Sequence, residues 1–271
     1  KPNANLLFTI KPNIYGTIVS GLLGIKTINN VTGLGSVFLE KGAVQSIVKC
    51  LYKFAFRYST NVMFQNSEDK AVFTDQNLVS FQKTVLIPGS GVDINRFKPI
   101  EADYSNKLIF LMIGRVLADK GVREYVEAAR LVKNQFTEVE FWLLGGCDSD
   151  NSSSISLRMV KDWEEKAIIR YLGEVEDVRE FIAKSDVVVL PSYREGMPRV
   201  LLEALAMGKP IIGSDVPGCR DIVIDGVNGY LCKVKDPLDL SKQMEKMIKH
   251  DDIERKTMGI NGRNQIISKF D

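Results

Sequence analysis

Along the second half of the chain, short apolar runs alternate with amphipathic stretches. The runs at 108–113, 139–144, 168–172, 187–190, 211–213 and 229–232 have strand length and are mostly apolar. Between them, helices are predicted over 122–133, 155–166, 178–184 and 198–207, and a last one over 238–249. Continuous apolar strands separated by helices predict an α/β fold, its parallel sheet covered on both faces. The first half repeats this in shorter form. An apolar run at 6–8 leads into a loop at 9–13 and a helical pattern over 14–23. Strands are predicted at 27–30, 61–65 and 84–87, and a helix over 44–58. Residues 95–106 contain Pro99 and no clean period, which predicts a linker and a division into domains at 1–100 and 101–271.

Composition narrows the function classes. The 271 residues carry a net charge of +2, which gives no case for nucleic acid. No apolar run approaches the roughly 18 residues of a membrane-spanning helix. Cys50, Cys147, Cys219 and Cys232 are scattered and form no C-x-x-C pair, which points to free thiols in a reducing cytosol rather than to zinc. His250 is the single histidine and is expected at a surface helix terminus, so no Ser-His-Asp triad is available. The opening Lys1-Pro2 followed so soon by an apolar run reads as a start partway through a domain.

The densest chemistry lies between Tyr193 and Ala204. Pro198 suits the start of a helix, and Gly208 with Pro210 reads as its stop. Val200, Leu201, Leu202, Ala204, Leu205, Ala206 and Met207 make that helix apolar nearly all round, with Glu203 its one carboxylate. A carboxylate there needs a partner. A vicinal diol offers two donors to its two oxygens, and an arginine in the core would also serve. Glu195 precedes the helix, whose free N–H groups favour a phosphate or a sugar oxygen.

In a parallel sheet the loops after the strands meet at one edge, where ligands bind. Gly114-Arg115 and Lys120-Gly121 follow the first strand of the second half. Gly145-Gly146 follow the next, and Pro191-Ser192 lead to Glu195-Gly196. This set suits a nucleotide-diphosphate sugar. Arg115 and Lys120 would neutralise the diphosphate and the charge that builds on it as the anomeric bond breaks. Glu195 would hold a sugar hydroxyl, and Glu203 the ribose. Two surface cations flanking a turn is the plainer reading of Arg115 and Lys120, and it explains either one better than the set. Asp148-Ser149-Asp150 has a spacing that can hold a divalent metal, but the polar run after it reads as a flexible loop, and no metal is expected. In the first half, Lys49, Lys53 and Arg57 recur every four residues. They form either a solvated stripe or a surface for anionic lipid headgroups.

These residues resemble a known family. Gly114-Arg115 with Lys120-Gly121, Pro191-Ser192-x-x-Glu195-Gly196-x-Pro198, Glu203-Ala204 and Asp225-Gly226-x-Asn228-Gly229 are similar to the retaining GT-B glycosyltransferases of family four. Seven residues separate the two glutamates, as in that family's signature. Lys11 to Gly16 and Thr32-Gly33-Leu34-Gly35 look like the subgroup that builds capsule, O-antigen or lipid-linked oligosaccharides. The resemblance implies two Rossmann-like domains, the N-terminal one incomplete here. It implies a UDP-sugar donor, a glycan or lipid-linked glycan acceptor, no required metal or cofactor, and retention of configuration. It assigns the diphosphate to Arg115 and Lys120, the sugar to Glu195 with Gly196 and Met197, and the ribose to Glu203. Gly114 and Val175 complete the donor-side set that it implies. A location in the cytoplasm, at the inner face of the membrane, follows from the same likeness. A shortened chain that binds donor without efficient turnover is the alternative expectation.

Overall fold

The computed structural model describes residues 2–35, 38, 42–101, 107–147, 151 and 153–271. Two compact units are formed, one by 1–90 with Arg194–Met197, the other by 91–193 with 198–271. Residues 91–100, at the linker end of the first half, therefore pack with the second unit.

The first unit is built on strands β1 (Ala4–Phe8), β2 (Lys26–Val31), β3 (Asn61–Phe64) and β4 (Thr84–Leu86). They lie side by side in that order, all parallel. A π-helical turn at Pro12–Gly16 leads into α1 (Thr17–Leu22), and α2 (Ala43–Ala55) follows β2. A third helix, α3 (Ser67–Asp75), was not foreseen. Its sequence SEDKAVFTD has almost no apolar stripe, so periodicity is silent there. Two other features make the helix. Asn66 caps it, its Oδ1 accepting from the Asp69 N–H at 2.7 Å. Phe73 is fully buried and centres an aromatic cluster, with Tyr52, Phe64 and Phe56 ring centroids 5.0, 5.2 and 5.9 Å away. Burying such a ring contributes about 1.5–3 kcal/mol, enough to override a weak local pattern.

The second unit holds β5 (Leu108–Ile113), β6 (Val139–Leu144), β7 (Arg170–Gly173), β8 (Val187–Leu190), β9 (Ile211–Ser214) and β10 (Gly229–Cys232). All are parallel, in the order β10-β9-β8-β5-β6-β7. The helices are α4 (Val122–Lys133), α5 (Leu157–Glu165), α6 (Arg179–Lys184), α7 (Arg199–Ala206), α8 (Cys219–Ile222), α9 (Pro237–Lys249) and α10 (Asp252–Lys269). Phe110, Phe141, Leu143, Val187 and Val189 fill one face of the sheet beneath α4 and α9. The buried Tyr125 hydroxyl lies 2.9 Å from the Phe110 carbonyl and 3.1 Å from that of Trp142. Its polar tip is thereby satisfied inside the core.

The chain does not end its helices at residue 249: α10 adds 18 residues. Its mostly polar sequence, with two internal glycines, carries no apolar stripe from which a helix is predicted. The glycines are instead the packing surface. A side chain at Gly259 would stand 1.9 Å from the Gly208 carbonyl oxygen, so only glycine lets α10 lie against the end of α7. The start is legible afterwards as a capping box, in which Asp251 Oδ1 accepts from the Glu254 N–H and Glu254 Oε2 from the Asp251 N–H. His250, expected at the surface, is half-buried instead. Its Nε2 lies 2.7 Å from the Tyr230 hydroxyl and its Nδ1 3.1 Å from Glu254. Among the described residues no helix is long and apolar enough to cross a membrane.

Candidate functional site

The strand order sets the site in the second unit. From β5 the chain winds outward through β6 to β7, then returns to place β8 on the other side of β5 and continues to β9 and β10. The reversal between β5 and β8 leaves a crevice beyond their carboxyl ends, where open parallel sheets bind ligands. The loops after those two strands carry Gly114, Arg115 and Lys120 on one side and Pro191 to Tyr193 on the other.

These two loops are pressed together. Gly121 adopts φ 77°, and a side chain there would stand 2.0 Å from the Pro191 carbonyl oxygen. The Tyr193 N–H donates to the Asp119 carbonyl at 2.9 Å, and Ser192 Oγ donates to the same carbonyl at 3.2 Å. The Tyr193 hydroxyl donates to Glu124 Oε1 at 2.7 Å, and Lys235 Nζ stands 4.6 Å from the centre of its ring. Burial and the Glu124 carboxylate hold the Tyr193 hydroxyl well above its ordinary range. Gly121 is also the N-cap of α4, so that helix begins at the crevice with Lys120 beside it. A helix of 12 residues starting there presents free N–H groups and partial positive charge to an anion. Val175 follows β7 on the same sheet edge and is half-buried.

Glu203 sits on α7, with 12% of its side chain exposed among fully buried Leu201, Leu202, Ala204 and Leu205. Burial pushes its carboxyl above the usual range, while Arg199 and then Arg96 pull it back. Arg199 Nη2 donates to Glu203 Oε1 at 3.3 Å from one turn earlier. That arginine is a surface residue, 68% exposed, not one in the core. So long a bond to so exposed a side chain leaves capacity for further donors. Pro198 is the N-cap of α7 and not its first residue.

Glu195, Gly196 and Met197 fall in the first unit, at the carboxyl ends of its strands. A side chain at Gly196 would lie 1.9 Å from the Thr32 carbonyl oxygen, just beyond β2. Asn66, beyond β3, donates from Nδ2 to the Gly196 carbonyl at 3.1 Å. Arg194 forms an ion pair with Asp69, whose side chain is 1% exposed. Asn66, Asp69 and Arg194 were not among the expected residues. The N-D spacing of a helix cap was a signal for the first two, but their partner 125 residues away was not legible. Thr32 to Gly35, expected to approach a ligand or turn tightly, meet the Glu195 segment through Thr32 and Gly33. Asp148 and Asp150 lie outside the described residues, and among the described residues no group of three or more metal-ligating side chains is present.

A separate cavity of about 840 Å³ lies at the opposite, amino-terminal end of the second sheet. It is lined by Leu108, Asp186, Lys209, Arg255 and Arg263 among others. None of the expected site residues borders it.

Lys53 in α2 and Arg57 just past its end are exposed, while Lys49 in α2 is half-buried, 5.9 Å from the Phe38 ring centre. Val44, Ile47, Phe54 and Tyr58 are exposed on and just after the same helix.

A crevice at the reversal of an open parallel sheet, flanked by glycines and cations, defines a doubly wound α/β protein with a ligand site at its switch point. Residues 93–265 match the family model described as "Glycosyl transferases group 1", and the chain belongs to that family. It is 32% identical over 234 residues to the N,N'-diacetylbacillosaminyl-diphospho-undecaprenol alpha-1,3-N-acetylgalactosaminyltransferase of Campylobacter jejuni, a match covering 80% of this chain and 60% of that protein. It is 28% identical to the UDP-Gal:alpha-D-GlcNAc-diphosphoundecaprenol alpha-1,3-galactosyltransferase of Escherichia coli, over 96% of this chain and 69% of that one. The chain thus spans less than two thirds of the first of these relatives. Among solved structures, HepE of Anabaena in complex with UDP-glucose superposes with a TM-score of 0.84 at 21% identity, covering 98% of this chain and 74% of that one. Sucrose-phosphate synthase of Thermosynechococcus elongatus gives 0.83 at 22% identity, over 99% and 70%. At these identities the likeness shows a shared fold, GT-B.

Proposed function

We propose that the chain belongs to a retaining transferase that moves a sugar from a UDP-sugar to a polysaccharide or lipid-linked glycan acceptor. The supporting observation is the pair of loops after β5 and β8, locked together at Gly121 and Pro191 beside Arg115, Lys120 and the start of α4. On this reading Arg115 and Lys120 bind the diphosphate, with the backbone turn at Gly114 beside it. Glu203 accepts hydrogen bonds from the ribose hydroxyls, and Val175 contributes to the base side. Glu195 holds the sugar, seated by backbone groups of Gly196 and Met197. As the anomeric carbon–oxygen bond breaks, the electron pair goes to the diphosphate, where the two cations stabilise it. The acceptor proton passes to that leaving phosphate oxygen, a route with which the scarcity of histidine is compatible. Cations suffice to clamp the phosphates, so the reaction proceeds without a metal.

The first unit, with residues 1–90, serves as the acceptor-side domain and the second, from residue 91, as the donor-side domain. The Campylobacter and Escherichia relatives are named for undecaprenyl-diphosphate-linked sugars, which supports a lipid-linked acceptor. Lys53 and Arg57, with Lys49 behind them, would then rest on anionic headgroups beside the exposed Phe54 and Tyr58, at the inner face of the cell membrane.

Calorimetry with UDP, paired with a sugar-transfer assay on a polyprenyl-diphosphate acceptor with and without EDTA, tests the reading. Binding with EDTA-insensitive transfer is expected. Binding without product would instead favour a donor-binding chain of impaired turnover. No binding of UDP would refute both.

A further inference from the structure

We infer that Asp69 and Asn66 are positioning residues for the segment that carries Glu195, acting through Arg194 and the Gly196 carbonyl. This rests on the donor reading above for its catalytic meaning, and on geometry for the rest. Three independent contacts converge on four residues. Asp69 Oδ1 pairs with Arg194 Nη2. Asn66 Nδ2 donates both to Asp69 Oδ2 at 3.2 Å and to the Gly196 carbonyl at 3.1 Å. The Thr32 carbonyl leaves no room for a side chain at Gly196.

Asp69 is a costly place for a charge unless the charge is paired. It is fully buried in the first turn of α3, and desolvation pushes its carboxyl up against the opposing pull of Arg194 and Asn66. A cap alone would need only Asn66, whose Oδ1 already accepts from the Asp69 N–H at 2.7 Å. Replacing such a pair with apolar groups is often neutral or stabilising, so the pair is poorly explained by stability. It is well explained by register: the planar guanidinium accepts few orientations, which fixes the backbone next to Glu195. Anchored on both sides, at Arg194 by Asp69 and at Gly196 by Asn66 and the Thr32 carbonyl, Glu195 is left one course.

Two variants separate positioning from folding. Asn66→Ser keeps a good helix cap but cannot reach the Gly196 carbonyl. Arg194→Met removes the guanidinium while retaining an unbranched chain; Arg194→Lys restores charge without the fork. Hydrogen exchange at the amides of Glu195, Gly196 and Met197 is expected to quicken about tenfold or more in Asn66→Ser and Arg194→Met, with β2 and β3 unaffected. In the transfer assay kcat is expected to fall about 10- to 100-fold. The UDP dissociation constant should stay within about twofold, and Arg194→Lys should recover part of the loss. Unchanged exchange at the three amides would overturn the inference, as would a parallel loss of kcat, UDP affinity and melting temperature. A wild-type chain that neither binds UDP nor transfers sugar would count against the donor reading, and the exchange arm would still decide this one.

Discussion

The Tyr193 hydroxyl donates to Glu124 Oε1 at 2.7 Å, joining the loop after β8 to the first turn of α4. The second carboxylate oxygen of Glu124 is buried with no hydrogen-bond partner among the described residues. Tyr193→Phe would leave both oxygens unpaired, a cost of about 1–3 kcal/mol. Urea unfolding should show that loss, and calorimetry should show weaker UDP binding because the loop bearing Lys120 loses its brace. Undiminished stability would show that the bond carries no load.

Glu203 offers a second test. Glu203→Ala removes a charged acceptor for the ribose, and UDP affinity is expected to fall by about 1.5–3 kcal/mol, roughly ten- to a hundredfold. Protein stability should not fall in step, because the carboxylate is held above its ordinary range by burial and its arginine is exposed. Calorimetry and thermal melting on the same variant separate the two effects. Equal UDP affinity in the variant and the wild type would remove Glu203 from the donor site.

Lys120→Ala and Glu195→Ala should each lower kcat by about 10²–10³-fold if a preorganised charge and a sugar contact are lost. Far-ultraviolet circular dichroism should remain that of the wild type. Full turnover in both would sink the transfer mechanism.

Asp186 predicts a pH dependence away from the crevice. Its carboxyl accepts from the Ile109 N–H at 2.7 Å, yet burial raises its pKa above the ordinary 3.8 despite Lys209 and Arg255 nearby. The folded carboxyl therefore keeps its proton to higher pH than the unfolded one. The native state binds the extra proton in that window, so this group's contribution declines as pH rises from about 4. Asp186→Asn keeps an acceptor for Ile109 and should flatten that decline. Melting temperature measured from pH 4 to pH 7 in both proteins checks it; identical slopes would refute the assignment.

Much of the second unit could be read from the chain. The strands at Leu108, Val139, Val187 and Gly229 began and ended where apolar runs did, because a strand covered on both faces has no polar side to blur its ends. Helix α4 was legible for its amphipathic face. What escaped had its cause elsewhere in the structure. Helix α3 depends on one ring, Phe73, in a cluster assembled from two other segments. Helix α10 hides behind Gly259, whose purpose is visible only beside the Gly208 carbonyl. The site divided likewise. Gly121, Lys120 and Pro191 announced themselves as motif residues, whereas Asp69 and Asn66 stand in an ordinary polar stretch and acquire meaning only from Arg194.

Gly259→Ala would press a methyl group onto that carbonyl. A loss of about 1–3 kcal/mol is expected from the forced shift. Equilibrium unfolding in urea measures it, and a neutral result would mean that α10 can slide on α7.

The four residues from Arg194 to Met197 are grouped with strands that precede them by more than a hundred positions, while Tyr193 and Pro198 on either side are grouped with the other sheet. A clone begun at Gly91 would therefore encode this short detour but none of its moorings. Its arginine would lack Asp69, and its glycine carbonyl would lack Asn66. Such a product could keep its own sheet intact and still present Glu195 on a slack tether, so that nucleotide binding and sugar transfer would part company in the test tube.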